Sequence, residues 1–164
     1  MRLMRRKIDD FLKEWKENED RLPLIVKGAR QIGKTASIMQ FANDNYKNVV
    51  AINFVLQQKF KSIFDDGYDV DSVVRNITLI DPSIELEPGN TIFFFDEMQD
   101  CPVCATSLKA FKIDGRYDVV CSGSLMGINY QEIESNSVGY KEDYAMHSMD
   151  FEEFPGEKVR IFYK

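Results

Sequence analysis

The chain has 164 residues, 44% of them hydrophobic and 29% charged, with a net charge of -6. That composition excludes a disordered chain, and the acidic balance argues against a broad nucleic-acid footprint, which needs a clustered basic face. Unbroken apolar runs stop at four residues, far short of the about 20 needed to span a membrane.

Ile8, Phe11, Leu12 and Trp15 fall at helical spacing and predict an amphipathic helix within residues 1–20. The basic start, Met1-Arg2-Leu3-Met4-Arg5-Arg6-Lys7, has no apolar stretch behind it and does not read as a secretory signal. Leu22 to Val26 reads as a strand, 28–33 as a loop and 34–45 as a helix. A second strand is expected over 48–54; its continuous apolar run suits a parallel sheet covered on both faces. Residues 57–80 read as one or two helices burying Phe60, Ile63, Phe64, Val70, Val73, Val74 and Ile77. After a turn at Glu87-Pro88-Gly89-Asn90, a third strand is expected over 91–95 and a helix over 102–113, with Leu108 and Phe111 as core anchors. Tyr117 to Cys121 reads as a fourth strand ending in Ser122-Gly123-Ser124, which local chemistry alone makes a turn. Residues 129–136 read as loop or short helix, and 144–149 as a fifth strand. Strands alternating with helices at this spacing predict an α/β fold with a parallel sheet.

Gly28-Ala29-Arg30-Gln31-Ile32-Gly33-Lys34-Thr35 matches G-x-x-x-x-G-K-[ST], the Walker A pattern, between a strand and a helix. The glycines let the backbone turn its N–H groups toward a phosphate, and the helix start through Ala36 adds its positive dipole end. Lys34 supplies a charge for the β- and γ-phosphates, and Thr35 a hydroxyl for Mg²⁺. Thr91-Ile92-Phe93-Phe94-Phe95-Asp96-Glu97 reads as a buried strand ending in two carboxylates, in the manner of a Walker B segment. Open α/β sheets bind ligands at that end. Asp96 is the expected metal carboxylate and Glu97 the expected base for an attacking water. Gln99 reads as a polar residue at the start of a loop.

With both motifs in place, the chain resembles the AAA-type predicted ATPases of bacteria and archaea that carry an uncharacterised C-terminal domain. The resemblance rests on the loop, on Asp96-Glu97-Met98-Gln99, Leu108-Lys109, Ser122-Gly123-Ser124-Leu125-Met126-Gly127 and Phe151-Glu152-Glu153-Phe154, in that order. It implies a three-layer phosphate-loop NTPase with a parallel sheet of order 5-1-4-3-2, and adenine rather than guanine as the base. It puts Ser122 or Ser124 in the sensor position near the γ-phosphate; Ser122 is the expected catalytic partner. It also implies a single ATP-binding domain over 1–164, with an N-terminal helix at 1–20 and a core at 21–164. The family's lid and C-terminal domain are expected to be absent, so nucleotide binding is expected to be weak. An apolar surface around Phe151, Phe154, Ile161 and Phe162 is expected to favour self-association. Arg30, Arg116 and Arg160 are the arginines weighed as a finger for a neighbour's nucleotide, against a solvated surface role.

The expected activity is binding and hydrolysis of Mg²⁺–ATP by Lys34, Thr35, Asp96 and Glu97. The alternative is a nucleotide-gated module that recruits a protein partner with little or no turnover. A DNA-associated ATPase draws only on the basic N-terminal segment. Cys101-Pro102-Val103-Cys104, Cys121 and His147 read as core and strand residues rather than a zinc set, because the third and fourth ligands are isolated. An odd number of cysteines and no extracellular signature point to free thiols in the cytoplasm.

Overall fold

The computed structural model describes residues 6–29, 32–124 and 130–147. Among them is a five-stranded, all-parallel sheet of β1 (Leu24–Lys27), β2 (Asn48–Asn53), β3 (Thr91–Asp96), β4 (Asp118–Gly123) and β5 (Glu142–Ala145), in the order β2-β3-β4-β1-β5. This is the expected order, read from the other edge.

Strand parity sorts the apolar side chains into two layers. Ile92, Phe94, Leu24, Val26 and Val120 pack against α1 (Lys7–Glu17) and α2 (Lys34–Asn45). Phe93, Phe95, Ile25, Val50, Ile52, Val119 and Cys121 face the other way. There they meet a 3₁₀ segment (Gln58–Phe64), α3 (Val70–Ile80) and α4 (Cys104–Asp114), with Ile133 of α5 (Tyr130–Ser137) beside them. Both faces of the sheet are therefore covered, which is why β3 is buried along its whole length and apolar from Ile92 to Phe95. α1 docks by the predicted stripe, burying Ile8, Leu12 and Trp15, and the Trp15 indole donates to the Leu22 carbonyl at 2.8 Å.

Two local expectations need correction. Ser122 and Gly123 are strand residues rather than a turn, because the Gly123 carbonyl accepts from Gly28 N at 3.3 Å and pairing with β1 overrides turn propensity. β5 begins two residues earlier than expected and ends at Ala145. Its register is set by Glu142 N on the Pro23 carbonyl and by the Lys27–Asp143 ion pair, so charges mark this edge strand and hide it from an apolar-run reading. Residues 57–80 do form two helical elements, the first of them 3₁₀, with Phe60, Ile63 and Phe64 buried as expected. No helix among the described residues is long and apolar enough to cross a membrane. Arg30, Gln31, Leu125 to Asn129 and everything from Ser148 on, with Phe151, Phe154, Arg160, Ile161 and Phe162, lie outside the described residues.

Candidate functional site

The parity that sends Phe95, Ile52 and Cys121 toward α3 and α4 sends the next residue of each strand toward α2. Register then aligns them: Asn53 pairs with Asp96, and Phe95 with Cys121, so Asp96 stands between Asn53 and Ser122. α2 begins over this spot, with Thr35 in its first turn.

Asp96 is 5% exposed. A buried carboxylate without donors costs several kcal/mol or more, and here the donors are present. Thr35 Oγ1 donates at 2.9 Å, Glu97 N at 3.0 Å, Asn53 Nδ2 at 3.4 Å, and Ser122 Oγ also donates. All four are neutral groups. A cleft of about 200 Å³, lined by Thr35, Asn53, Gln57 and Asp96 with Met39 and Phe94, opens beside the carboxylate.

The loop lies between β1 and α2. Gly28 is obligatory by contact: a Cβ there would sit 2.6 Å from the Met146 carbonyl oxygen and from Ile32 Cδ1. Gly33, the N-cap of α2, has φ +87°, a left-handed conformation that disfavours side chains. α2 has no side-chain cap and no acidic residue in its first turn, whereas Asp69 caps α3 by accepting Ser72 N at 3.0 Å. The first N–H groups of α2 thus form an anion-ready helix start. Lys34 is buried, its Nζ donating to the Gly28 carbonyl at 3.0 Å and the Ala29 carbonyl at 2.5 Å, so the ammonium rests on the loop's own main chain. Ala36 is exposed at the end of this segment.

Glu97 follows directly with φ 56° and ψ 48°, the one non-glycine residue of positive φ among those described. Such a conformation costs about 1–3 kcal/mol and persists where the surroundings enforce it. It turns the chain sharply out of β3. Gln99 Nε2 donates to Glu97 Oε2, and Gln99 Oε1 accepts from Ser124 N at 3.3 Å. Gln99 therefore clasps the glutamate and ties it to the end of β4.

The structure thus brings together Gly28, Ala29, Ile32, Gly33, Lys34 and Thr35 with Asp96, Glu97 and Ser122. Asn53 is a member that local sequence reading misses, since only the β2–β3 register puts it at Asp96. Arg116 lies at the N-terminal end of β4, its guanidinium on Asp71 and Asp114 at 2.6 and 2.8 Å. The cysteines are set in the core on the α4 side. Burial pushes the Cys101 thiol up to about 11. Burial and a hydrogen bond shared with Cys121 push Cys104 up as well. Protonated thiols are poor metal ligands and poor nucleophiles. His147 is on the other side of the sheet, its carbonyl accepting from Arg6 at 2.9 Å.

Among solved structures, the chain is similar to the Thermotoga maritima RuvB Holliday junction branch migration motor, with TM-score 0.50 and 12% identity over 86% of this chain and 45% of that one. Others are C. elegans PCH-2, with TM-score 0.48 and 14% identity over 87% and 43% of the two chains, and Drosophila ORC bound to GC-rich DNA and Cdc6, with TM-score 0.49 and 12% identity over 85% and 55%. At 12% identity the likeness to RuvB is one of fold, and the chain spans about half the length of these proteins or less. Comparison with curated proteins gives no match. A family model described as the AAA domain matches residues 20–155, and the chain belongs to that family.

Proposed function

We propose that this chain binds Mg²⁺–ATP and hydrolyses it to ADP and phosphate, as one ATP-binding domain with its helix at 1–20 and its core at 21–164. The observation that carries the reading is Asp96: a buried carboxylate whose donors among the described residues are all neutral, one of them the hydroxyl of Thr35 from the loop helix. The donor set fits Mg²⁺, a hard cation that takes oxygen ligands and keeps several waters, so one carboxylate, one hydroxyl and substrate phosphates suffice. Thr35 and Asp96 would hold it, and the cleft beside them has room for its waters. When bound, the ion supplies positive charge for the phosphate oxygens.

Under this reading the N–H groups of Gly28 to Ala36, with Arg30 and Gln31 among them, cradle the phosphates. Lys34 leaves the Gly28 and Ala29 carbonyls for the β- and γ-phosphates. Glu97 accepts a proton from the water that attacks the γ-phosphorus, the bond to the β–γ bridging oxygen breaks, and ADP leaves. Ser122, already on Asp96, holds the carboxylate in orientation. A second reading, a nucleotide-gated binding module with slow turnover, is favoured by the Gln99 clasp, which occupies a Glu97 oxygen that a base needs. Single-turnover hydrolysis of Mg²⁺–ATP tests both: release of phosphate within seconds to minutes supports the ATPase, and binding without release supports the gated module.

A further inference from the structure

Arg6 is the N-cap of α1, and its guanidinium is buried far from the sequence neighbours of that helix. One terminal nitrogen donates to the Ile32 carbonyl in the phosphate loop, and the other to the His147 carbonyl beyond β5 at 2.9 Å. Its main-chain N–H donates to Asp9 Oδ2 at 2.7 Å, which fixes where the side chain starts. The guanidinium lies so close to Gly33 that a Cβ there would sit 2.9 Å from Nη1. Met146 N, one residue before His147, bonds the Lys27 carbonyl at 2.7 Å just ahead of the loop. A single planar fork therefore joins the start of α1, the end of the phosphate loop and the exit of β5.

The consequence follows from peptide geometry. In a trans peptide the C=O and N–H point in opposite directions, and no described peptide is cis. Holding the Ile32 carbonyl toward Arg6 turns the Gly33 N–H the opposite way, and Gly33 is the residue immediately before Lys34. Gly33, free to hold φ +87°, permits that orientation, and Arg6 selects it.

We propose that Arg6 is a positioning residue for nucleotide binding: it sets the 32–33 peptide of the phosphate loop for phosphate by clamping its carbonyl. This rests on the reading of 28–36 as a phosphate cradle. Lysine cannot replace the fork, because one ammonium on a flexible stem does not hold two separated carbonyls in a fixed plane.

The test uses the full chain with Mg²⁺ and two probes, inorganic tripolyphosphate and ATP. Affinities come from calorimetry, and KM and kcat from steady-state turnover. Arg6→Ala and Arg6→Lys are both expected to weaken both probes by about tenfold or more, the size expected for losing charge-assisted hydrogen bonds. KM should rise more than kcat falls, and the Gly33 amide resonance should shift. Leu12→Ala is the control, since it loosens α1 through its buried stripe and leaves the clamp in place; it should lower thermal stability and leave tripolyphosphate affinity within about twofold. Should Arg6→Ala fail to fold, Arg6→Lys decides by itself. Wild-type affinity in Arg6→Lys overturns the proposal, and so does an equal loss in Leu12→Ala, which would make the effect one of helix docking. No binding of either probe by the wild-type chain overturns the phosphate-cradle reading, and this proposal with it.

Discussion

Asp96 ends β3 and Asp118 begins β4, so neighbouring strands carry a carboxylate at opposite ends of the sheet. Asp118 is closed by charge. Arg21 meets it bidentately, Nε and Nη2 each at 2.9 Å, and the Tyr46 hydroxyl donates at 2.5 Å. Asp96 is held by two hydroxyls, a side-chain amide and a backbone N–H, and every one is neutral. A carboxylate paired with a guanidinium has little charge left to offer a ligand. A carboxylate solvated by dipoles keeps its charge and still attracts a cation. The backbone follows the same division: the strained residue, Glu97, adjoins Asp96. Two similar side chains thus sit in different settings at the two ends, one paired with a cation and the other solvated by dipoles.

The largest effect is expected at the Asp96 end. Lys34→Ala removes the loop's ammonium and should weaken Mg²⁺–ATP binding by about 10²-fold or more; unchanged affinity by calorimetry would remove the phosphate-loop assignment. Glu97→Gln should keep binding and lower turnover by about 10²–10⁴-fold if the carboxylate is the base. Wild-type phosphate release in that variant would move the base elsewhere. At the Asp118 end the readout changes from activity to stability. Arg21→Ala leaves Asp118 half-buried without its cation and should cost about 2 kcal/mol in denaturant unfolding, with ATP affinity unchanged. A loss of affinity there would mean that the two ends are coupled. Tyr46→Phe is the smallest change, about 1 kcal/mol for one hydrogen bond. Burial and the hydrogen bond to Asp118 push the Tyr46 hydroxyl well above its ordinary value of 10.0. The folded chain therefore retains that proton when the unfolded chain has lost it, and this stability contribution falls as pH rises above about 10. Tyr46→Phe should flatten that fall; an identical pH slope in the variant would rule out Tyr46 as its source.

What the sequence discloses is what is local. The loop spacing, the apolar run of β3 and the stripe of α1 lie within windows of a few to a dozen residues, and Lys34, Thr35, Asp96 and Glu97 can be read from them. Asn53 cannot, because its relation to Asp96 exists only once β2 and β3 pair in register across a long connection. Arg6 is harder still: its carbonyl partners lie 26 and 141 positions away, and an arginine in a basic segment has no local mark of burial. The contact of Ser122 with Asp96 has no local mark either, since turn propensity at Ser122-Gly123-Ser124 points away from a strand. The bounds of β5 are not legible, because its pattern alternates half-buried with exposed residues and its charges pair across the sheet edge. The 3₁₀ character of 58–64 is not legible, because Phe60, Ile63 and Phe64 keep an i, i+3, i+4 spacing that an α-helix shares.

The contrast between the two carboxylates is tested most directly by ATP calorimetry with and without Mg²⁺, on the wild-type chain and on Asp96→Asn. Binding that strengthens by about tenfold or more with Mg²⁺ in the wild type, and loses that dependence in Asp96→Asn, is the expected result. An equal gain from Mg²⁺ in both chains, or none in the wild type, would contradict the assignment of Asp96 as the carboxylate that receives the metal.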